Sequence, residues 1–501
     1  MTGEAVPGPG EAVPGPGEAV PGPEPGHMSA GEFRRHGYAA IDWIAGYLEE
    51  LEGLPVRSRV VPGEVRAALP AQPPQAGEPF EALLADLDRV IVPGLTHWQH
   101  PGFFAYFPAN ASGPSVLGDL LSAGLGVQGM LWSTSPAATE LEIVVLDWLR
   151  QLLGLPERFT PDGPGGAVLQ DSASSATLCA LLAARTRATG GADLAVGAGA
   201  GDLVVYASTQ AHSSVDKAVR IAGLGSDRLR AVAVDEQLAM RPDALAAAMD
   251  ADVAAGRRPC LVVATVGTTS SAAIDPVPAI AELARRHGAW LHVDAAYAGV
   301  AAVEPSLRWL NDGLDAVDSY ATNPHKWLLV NFDCTAFYVA DRGPLVHALG
   351  ILPEYLRNAA TDAGQVVDFR DWQVPLGRRF RALKLWAVLR WFGADGLRAH
   401  VNGHIALAQE LAARIQASDH LELAAPQRLG LVCFRHRGGE AASRALLEAV
   451  NDTGEALLTH TQLDGGYTLR VAIGAPLTQR RHVHALWALL QRLSAAPYAP
   501  G

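Results

Sequence analysis

Cysteine is scarce, with four residues in 501. Cys179, Cys260, Cys334 and Cys433 show no C-x-x-C spacing. That excludes a disulfide scaffold and a structural zinc site, and it points to a reducing compartment, with the cytoplasm as the expected location. Long apolar runs are missing as well. No stretch reaches the roughly 18 consecutive apolar residues of a membrane span. The N-terminus lacks a basic start followed by an apolar run, so no secretory signal is expected. Positive charge is in deficit: Lys plus Arg total 39 against 52 Asp plus Glu, for a net charge of −13. A nucleic-acid binder normally carries the opposite balance. Charged residues make up 18% and hydrophobic residues 49%, a mixture that excludes bulk disorder. A chain this long is expected to split into two to four lobes.

The first residues carry a tandem repeat, GEAVPGP at Gly3–Pro9, Gly10–Pro16 and Gly17–Pro23. With one large apolar residue per repeat, it cannot bury enough to offset its ordering entropy. Residues 1–27 are therefore expected to form a disordered tail, and Met28 is a candidate native start. Ser29 reads as a helix N-cap, followed at helical spacing by Phe33, Tyr38, Ile41, Ile44, Ala45 and Leu48. Six prolines mark 53–79 as an extended linker, and Glu81–Ile91 reads as a short helix. These pieces make an N-terminal helical arm over 28–110.

Over 111–375 short apolar runs alternate with helical segments. The expected strands are Leu203–Ala207, Ala231–Val234, Leu261–Thr265, Trp290–Val293, Ala316–Ser319 and Thr335–Val339. The helix Ala138–Leu153 would present Leu141, Val144, Val145, Trp148 and Leu152 as one stripe. Buried strands alternating with helices imply an α/β fold with a mainly parallel sheet, and in such sheets ligands bind at the carboxyl ends of the strands. Residues 376–495 read as a small C-terminal α+β domain. It would hold helices Arg379–Phe392, Leu397–Ser418 and Arg481–Leu493, and strands Leu421–Ala424, Leu431–His436 and Thr468–Ile473.

The chemistry is sought at those strand ends. Trp290-Leu-His-Val-Asp294 is an apolar strand finishing in a carboxylate, with small Ala295, Ala296 and Gly299 behind it. Taken alone, Asp294 reads more readily as a helix N-cap. Lys326, in Asn323-Pro-His-Lys-Trp, sits before an apolar stretch. Desolvation there would lower its pKa and make it a nucleophile toward an aldehyde, although a snorkelling surface lysine is the commoner case. Gln170-Asp-Ser-Ala-Ser-Ser175 opens a helix whose free N–H groups could cradle a phosphate or simply be capped by serine. His212 follows a strand and could lie on a flat ring. The order of the four (phosphate loop, His, strand-end Asp, Lys) is that of a pyridoxal phosphate site.

The longer motifs carry a resemblance. Thr96-His-Trp98, Phe103-Phe-Ala-Tyr-Phe-Pro108, Ser135-Pro-Ala-Ala-Thr-Glu-Leu-Glu142, His292-Val-Asp-Ala-Ala-Tyr-Ala-Gly299, Asn323-Pro-His-Lys-Trp-Leu-Leu-Val-Asn-Phe-Asp-Cys334 and Phe369-Arg-Asp-Trp-Gln-Val-Pro-Leu-Gly-Arg-Arg-Phe380 resemble the group II pyridoxal-phosphate decarboxylases, in their aromatic-L-amino-acid branch. The likeness runs from about Met28 to about Leu493. It implies fold type I, the aspartate-aminotransferase-like architecture, and a homodimer with active sites at the subunit interface. It also implies decarboxylation of an aromatic L-amino acid with pyridoxal 5′-phosphate. Lys326 would hold the cofactor's aldehyde. Asp294 would pair with its ring nitrogen, while His212 and Ala296 would cover the two ring faces. Ser172, Ala173, Ser174, Asn323 and His325 would bind the phosphate, and Thr269 the ring oxygen or the substrate side. Trp98, Tyr106, Phe107 and Pro108 would shape the substrate pocket. Tyr355 matches the tyrosine of the family's mobile catalytic loop, and residues 358–364 after it show no apolar periodicity.

Two departures bear on the preferred side chain. Ala109 follows Phe107-Pro108 where animal members usually carry a hydroxyl residue. Gln128 and Met130 stand where animal members have apolar and aromatic residues of the ring pocket. An aldehyde synthase of the same family is the nearest alternative activity. There the outcome tracks with Phe for the loop tyrosine or Asn for the stacking histidine, and this chain has Tyr355 and His212. An inactive binding homologue would be expected to lack Lys326 or Asp294. Two other patterns lead nowhere. Gly197-Ala-Gly-Ala-Gly201 precedes a strand, opposite to a dinucleotide loop, and His97-Trp-Gln-His100 has no further ligands, so no metal site is expected.

Overall fold

The computed structural model describes residues 27–351 and 366–495. The GEAVPGP repeat and Tyr355 lie outside the described residues. Seven strands build the central sheet: β1 Gly166–Gln170, β2 Leu203–Ser208, β3 Leu229–Val232, β4 Arg258–Thr265, β5 Trp290–Asp294, β6 Ser319–Thr322 and β7 Thr335–Val339. Their order is β1-β7-β6-β5-β4-β2-β3. All pairs from β6 to β3 are parallel, and β7 runs antiparallel to both of its neighbours. Continuous apolar runs form these strands because both faces are covered. Along β4, Val262 and Ala264 enter one core while Leu261 and Val263 enter the other, the period-2 alternation of a pleated strand.

The strand expected at Ala316–Ser319 begins later. Gly313 (φ 87°) starts a tight turn through Leu314–Ala316, and pairing with β5 begins only at Ser319. The helix Pro136–Leu153 turns differently from its expected stripe. Its buried face carries Val145, Leu146, Leu149 and Leu153, whereas Val144 and Trp148 are exposed.

The C-terminal part is a four-stranded antiparallel sheet in the order β10-β11-β9-β8. Its strands are β8 Leu421–Leu423, β9 Leu431–His436, β10 Thr459–Leu463 and β11 Gly466–Ala472. Helices Glu440–Thr453 and Arg480–Ser494 contribute to its core. The helical run Arg381–Gln416 leads into it and is broken at Gly393 (φ 58°, ψ −177°). A left-handed φ suits glycine there, and it separates the two helices expected from the sequence.

Contacts divide the described residues into two units, those up to Leu54 with Ser58–Leu95, and Pro55–Arg57 with those from Thr96 onward. In the first, Ser29 and Glu32 form a capping box that starts helix Ala30–Glu50. Trp43 Nε1 donates to Asp88 Oδ1 at 2.8 Å. This 21-residue helix has no buried residue, and its stripe of Phe33, Tyr38, Ile41, Ile44 and Leu48 is exposed.

Candidate active site

The carboxyl ends of β4, β5 and β6 and the loop after β1 converge on a cavity of about 220 Å³. Asp294 closes β5 and is buried, and its Oδ1 accepts from the Ala296 N–H at 3.0 Å. His292 lies behind it on the same strand, with Nδ1 2.9 Å from Ser319 Oγ. Burial pushes the His292 pKa down to about 4, so the ring is neutral.

After β6 the chain makes one helical turn, Pro324–Trp327, that carries Lys326 into the cavity. Desolvation lowers the lysine's pKa, and the nearby Asp294 charge works against that shift. Lys326 Nζ lies 5.9 Å from the centre of the Phe107 ring. Phe107 stacks on Tyr297 at 3.6 Å, and Tyr297 stacks on Trp327 at 5.0 Å. Trp327 Nε1 donates to His404 Nδ1 at 3.0 Å, and burial holds the His404 pKa at about 4. A column of buried rings therefore backs the turn that bears the lysine.

Each polar group at the rim has its tautomer or orientation set by a neighbour. His212 Nδ1 accepts from Ser214 N–H at 3.1 Å, which leaves the proton on Nε2. Its pKa is lowered by burial, raised by Asp294 and lowered by Lys326, with a net fall. His325 Nδ1 accepts from Cys334 N–H at 3.0 Å, and burial drives its pKa to about 3. The His325 ring is therefore neutral, with an Nε2–H donor. Asn323 Oδ1 accepts from Thr335 Oγ1 at 3.0 Å, so its amide N–H₂ remains to donate. Ser172 caps the 17-residue helix Ala173–Thr189, and Ser172, Ala173 and Ser174 all line the cavity. The first-turn N–H groups and the helix dipole favour an anion there.

A flat ring bearing a phosphate fits this donor set. Donors gather around the helix N-terminus, a carboxylate stands at the strand end, and a partly desolvated amine lies between. Gly267 (φ 88°) allows the close approach of backbone, since a Cβ there would lie 2.6 Å from Ala298 Cβ. Thr265 Oγ1 is buried without a partner, and its residue lines the cavity.

The cavity thus brings together Phe107, Ser172, Ala173, Ser174, His212, Thr269, Asp294, Ala296, Asn323, His325 and Lys326. Other residues singled out from the sequence lie elsewhere. Trp98 and Tyr106 stack on each other at 5.6 Å and are 39% and 52% exposed. Pro108 packs against Gly474. Gln128 Oε1 accepts from Arg378 N–H at 2.5 Å, and Met130 O accepts from Arg370 N–H at 3.0 Å. Neither residue lines the cavity of its own chain. His100 Nδ1 accepts from Gly102 N–H, and no group of three metal-ligating side chains occurs among the described residues. Thr265, Gly267 and Tyr297 were not foreseen. Thr265 had a usable signal: it ends β4 and pairs in register with Asp294.

A mainly parallel sheet of this order, whose strand ends gather a lysine, an aspartate and a helix N-terminus around one cavity, defines a pyridoxal-phosphate-dependent enzyme of fold type I. Comparison with known proteins agrees. The pyridoxal-dependent decarboxylase conserved domain matches residues 62–437. Tryptophan decarboxylase 2 of Oryza sativa subsp. japonica is 44% identical over 476 residues, covering 93% of this chain and 95% of that protein. Phenylacetaldehyde synthase of Arabidopsis thaliana is 45% identical over 474 residues, covering 93% and 96%. The crystal structure of Oryza sativa TDC with PLP and tryptamine superposes with a TM-score of 0.91 at 41% identity, covering 94% of this chain and 99% of that one. The chain belongs to the pyridoxal-dependent decarboxylase family, and it is a carboxy-lyase whose cofactor is pyridoxal 5′-phosphate.

Proposed function

We propose that the chain decarboxylates an aromatic L-amino acid, releasing the arylalkylamine and CO₂, as a cytoplasmic homodimer with its active sites at the subunit interface. The observation that carries this reading is the cavity around Lys326, walled by the Phe107 ring and closed by Asp294 and His212. Relatives named for tryptophan decarboxylation and for an aromatic aldehyde support the aromatic class. No helix among the described residues is long and apolar enough to cross a membrane.

The roles follow from the chemistry of each group. Pyridoxal phosphate, when bound, supplies the electron sink that lets a carboxylate leave an amino acid as CO₂. Lys326 would hold the cofactor's aldehyde, and its lowered pKa favours the neutral amine that this needs. Asp294 would keep a proton on the ring nitrogen, through a charge-assisted bond worth about 1.5–3 kcal/mol. Ser172, Ala173, Ser174, Asn323 and His325 hold the phosphate with neutral donors. Ala296 is small enough that a flat ring could lie against the backbone, and His212 would cover the other face and offer its Nε2–H. Thr269 borders the ring oxygen or the substrate. Trp98, Tyr106 and Pro108 lie outside the cavity of a single chain, and in this reading they would shape the substrate side as the family resemblance implies.

The dimer rests on exposed apolar faces. The stripe of helix Ala30–Glu50 and the face Leu117, Leu120, Leu121 and Leu125 of helix Gly113–Leu125 are uncovered in one chain. These side chains are already partly covered, so burying the rest of each is worth a fraction of the roughly 1.5–3 kcal/mol of full burial. Gln128 and Met130 follow that second face, and in this reading they serve the partner's substrate pocket.

A second reading, an aldehyde synthase, is favoured by the phenylacetaldehyde synthase relative. It couples loss of CO₂ to oxidative deamination, consuming O₂ and water and giving aldehyde, ammonia and peroxide. His212 and Tyr355 favour the plain decarboxylase. One preparation of the holoenzyme decides both matters. Incubated in air with L-Trp, L-Tyr and L-Phe, it is expected to form amine and CO₂ without stoichiometric peroxide, and light scattering is expected to give twice the chain mass. Peroxide matching CO₂ would favour the synthase, no CO₂ from any aromatic substrate would refute the reading, and an active monomer would refute the dimer.

A further inference from the structure

Arg470, on β11, is only 4% exposed. Buried arginines elsewhere in this chain have carboxylate partners: Arg378 pairs with Glu142 at 2.7 Å and Arg381 with Asp333 at 2.9 Å. Arg470 has none. The groups that act electrostatically on it are Cys433, Tyr297 and Tyr106, and its hydrogen bonds all go to main-chain carbonyls. Nη2 donates to Thr269 O at 2.7 Å, Nε to Ser270 O at 3.2 Å and Nη1 to Ala105 O at 3.3 Å. The guanidinium carbon also lies 5.3 Å from the centre of the Phe107 ring. Burying a charge without a counter-charge is costly, so this arrangement calls for a gain elsewhere.

The three carbonyls belong to two segments that meet at the cavity. Thr269 lines it, and Ala105 lies two residues before Phe107, which also lines it. Two further bonds join the C-terminal sheet to the same loop. Thr461 Oγ1 donates to Ser270 Oγ at 2.9 Å and Cys433 Sγ donates to Ser270 O at 3.4 Å. A planar fork with five N–H groups can hold several carbonyls at fixed angles, which an ammonium on a flexible stem cannot.

We propose that Arg470 is a positioning residue, the clamp by which the C-terminal sheet sets the Thr269 loop and the Phe107 wall in register around Lys326. The proposal rests on the reading of this cavity as the cofactor and substrate site. It assigns to a residue of the small sheet a part in shaping the pocket of the large one, with no contact to substrate or cofactor of its own.

The test uses holoenzyme of Arg470→Lys, which keeps the charge and loses the fork, and of Arg470→Ala. The readouts are the visible circular dichroism of bound pyridoxal phosphate, KM and kcat for the amino acid, and the melting temperature. In the Lys variant the dichroic band is expected to change. Its kcat/KM is expected to fall roughly 10²-fold, the loss that follows a misplacement of about 1 Å, while melting stays near wild type. Added guanidinium is expected to restore the band and much of the rate in the Ala variant. A Lys variant with wild-type dichroism and kcat/KM would overturn the proposal. So would an Ala variant that loses rate only in proportion to its folded fraction and ignores guanidinium. The dichroism needs no turnover, so it tests the clamp even if wild type proves inactive on every aromatic amino acid, an outcome that would sink the proposed substrate instead.

Discussion

Lys326→Ala is expected to abolish steady-state amine formation. The lysine enters the cavity on the single helical turn Pro324–Trp327, and no other lysine lines it. Lys384, the other lysine buried nearby, has Nζ 3.6 Å from Asp119 and belongs to a separate charged cluster. Removal of Lys326 therefore leaves the cavity with no amine to hold an aldehyde or to release the product by exchange. Borohydride treatment gives a check independent of rate. In wild type it should fix the cofactor's mass to the peptide containing Lys326, and in the variant it should fix none. Amine production by the variant at near the wild-type rate would show that the assignment of Lys326 is wrong.

Tyr355→Phe is expected to redirect the reaction. Once CO₂ has left, the substrate's α-carbon must receive a proton before the amine can depart. In the proposed reading the Tyr355 hydroxyl delivers it, as the family resemblance implies. Tyr355 lies outside the described residues. Loss of a positioned general acid typically costs about 10²–10⁴-fold, and amine formation should fall within that range. The unprotonated α-carbon is then open to O₂. Oxygen takes up two electrons to become peroxide, and water releases the nitrogen as ammonia and leaves the aldehyde. If the ring alone mattered, packing the loop against the body, the Phe variant would keep its rate. Assaying amine and peroxide side by side in air separates the two, and normal amine with no peroxide would exclude the proton-donor role.

Much of this site was legible because its signals are local. An apolar run ending in Asp294, a lysine before an apolar stretch and a serine-rich helix start are each contained within a few neighbouring residues. Thr335–Val339 and Leu431–His436 were read with the boundaries they have, since buried strands keep continuous apolar runs. β1 was not foreseen. It is five residues long and sits at the sheet edge, where it pairs only with β7. Arg470 was illegible for a different reason. Its partners Thr269 and Ala105 lie 201 and 365 residues away along the chain, and nothing in the local pattern Thr468–Ile473 distinguishes it from a strand residue facing solvent. Gln128 shows the limit of a motif match, which supplies a position and says nothing of the main-chain N–H of Arg378 that its side chain accepts from.

The neutral histidines packed around the site also make the fold sensitive to acid. His292, His325 and His404 have pKa values of about 4, 3 and 4 in the folded chain, below the roughly 6.5 of an unfolded histidine. As pH falls below about 6.5 the unfolded chain takes up these protons while the folded chain does not. The stability they confer is present above that pH and is lost progressively toward about 4. Asp275 acts in the opposite sense. Burial raises its pKa to about 6, so it favours the fold more as pH drops toward its unfolded value, and one carboxyl offsets only part of three rings. Melting temperatures measured from neutral pH down to about pH 5 should therefore decline, and an unchanged melting temperature over that range would contradict the burial of these rings as neutral species. Acid would then act on this enzyme by loosening the walls of its pocket, in addition to titrating any group that takes part in the reaction.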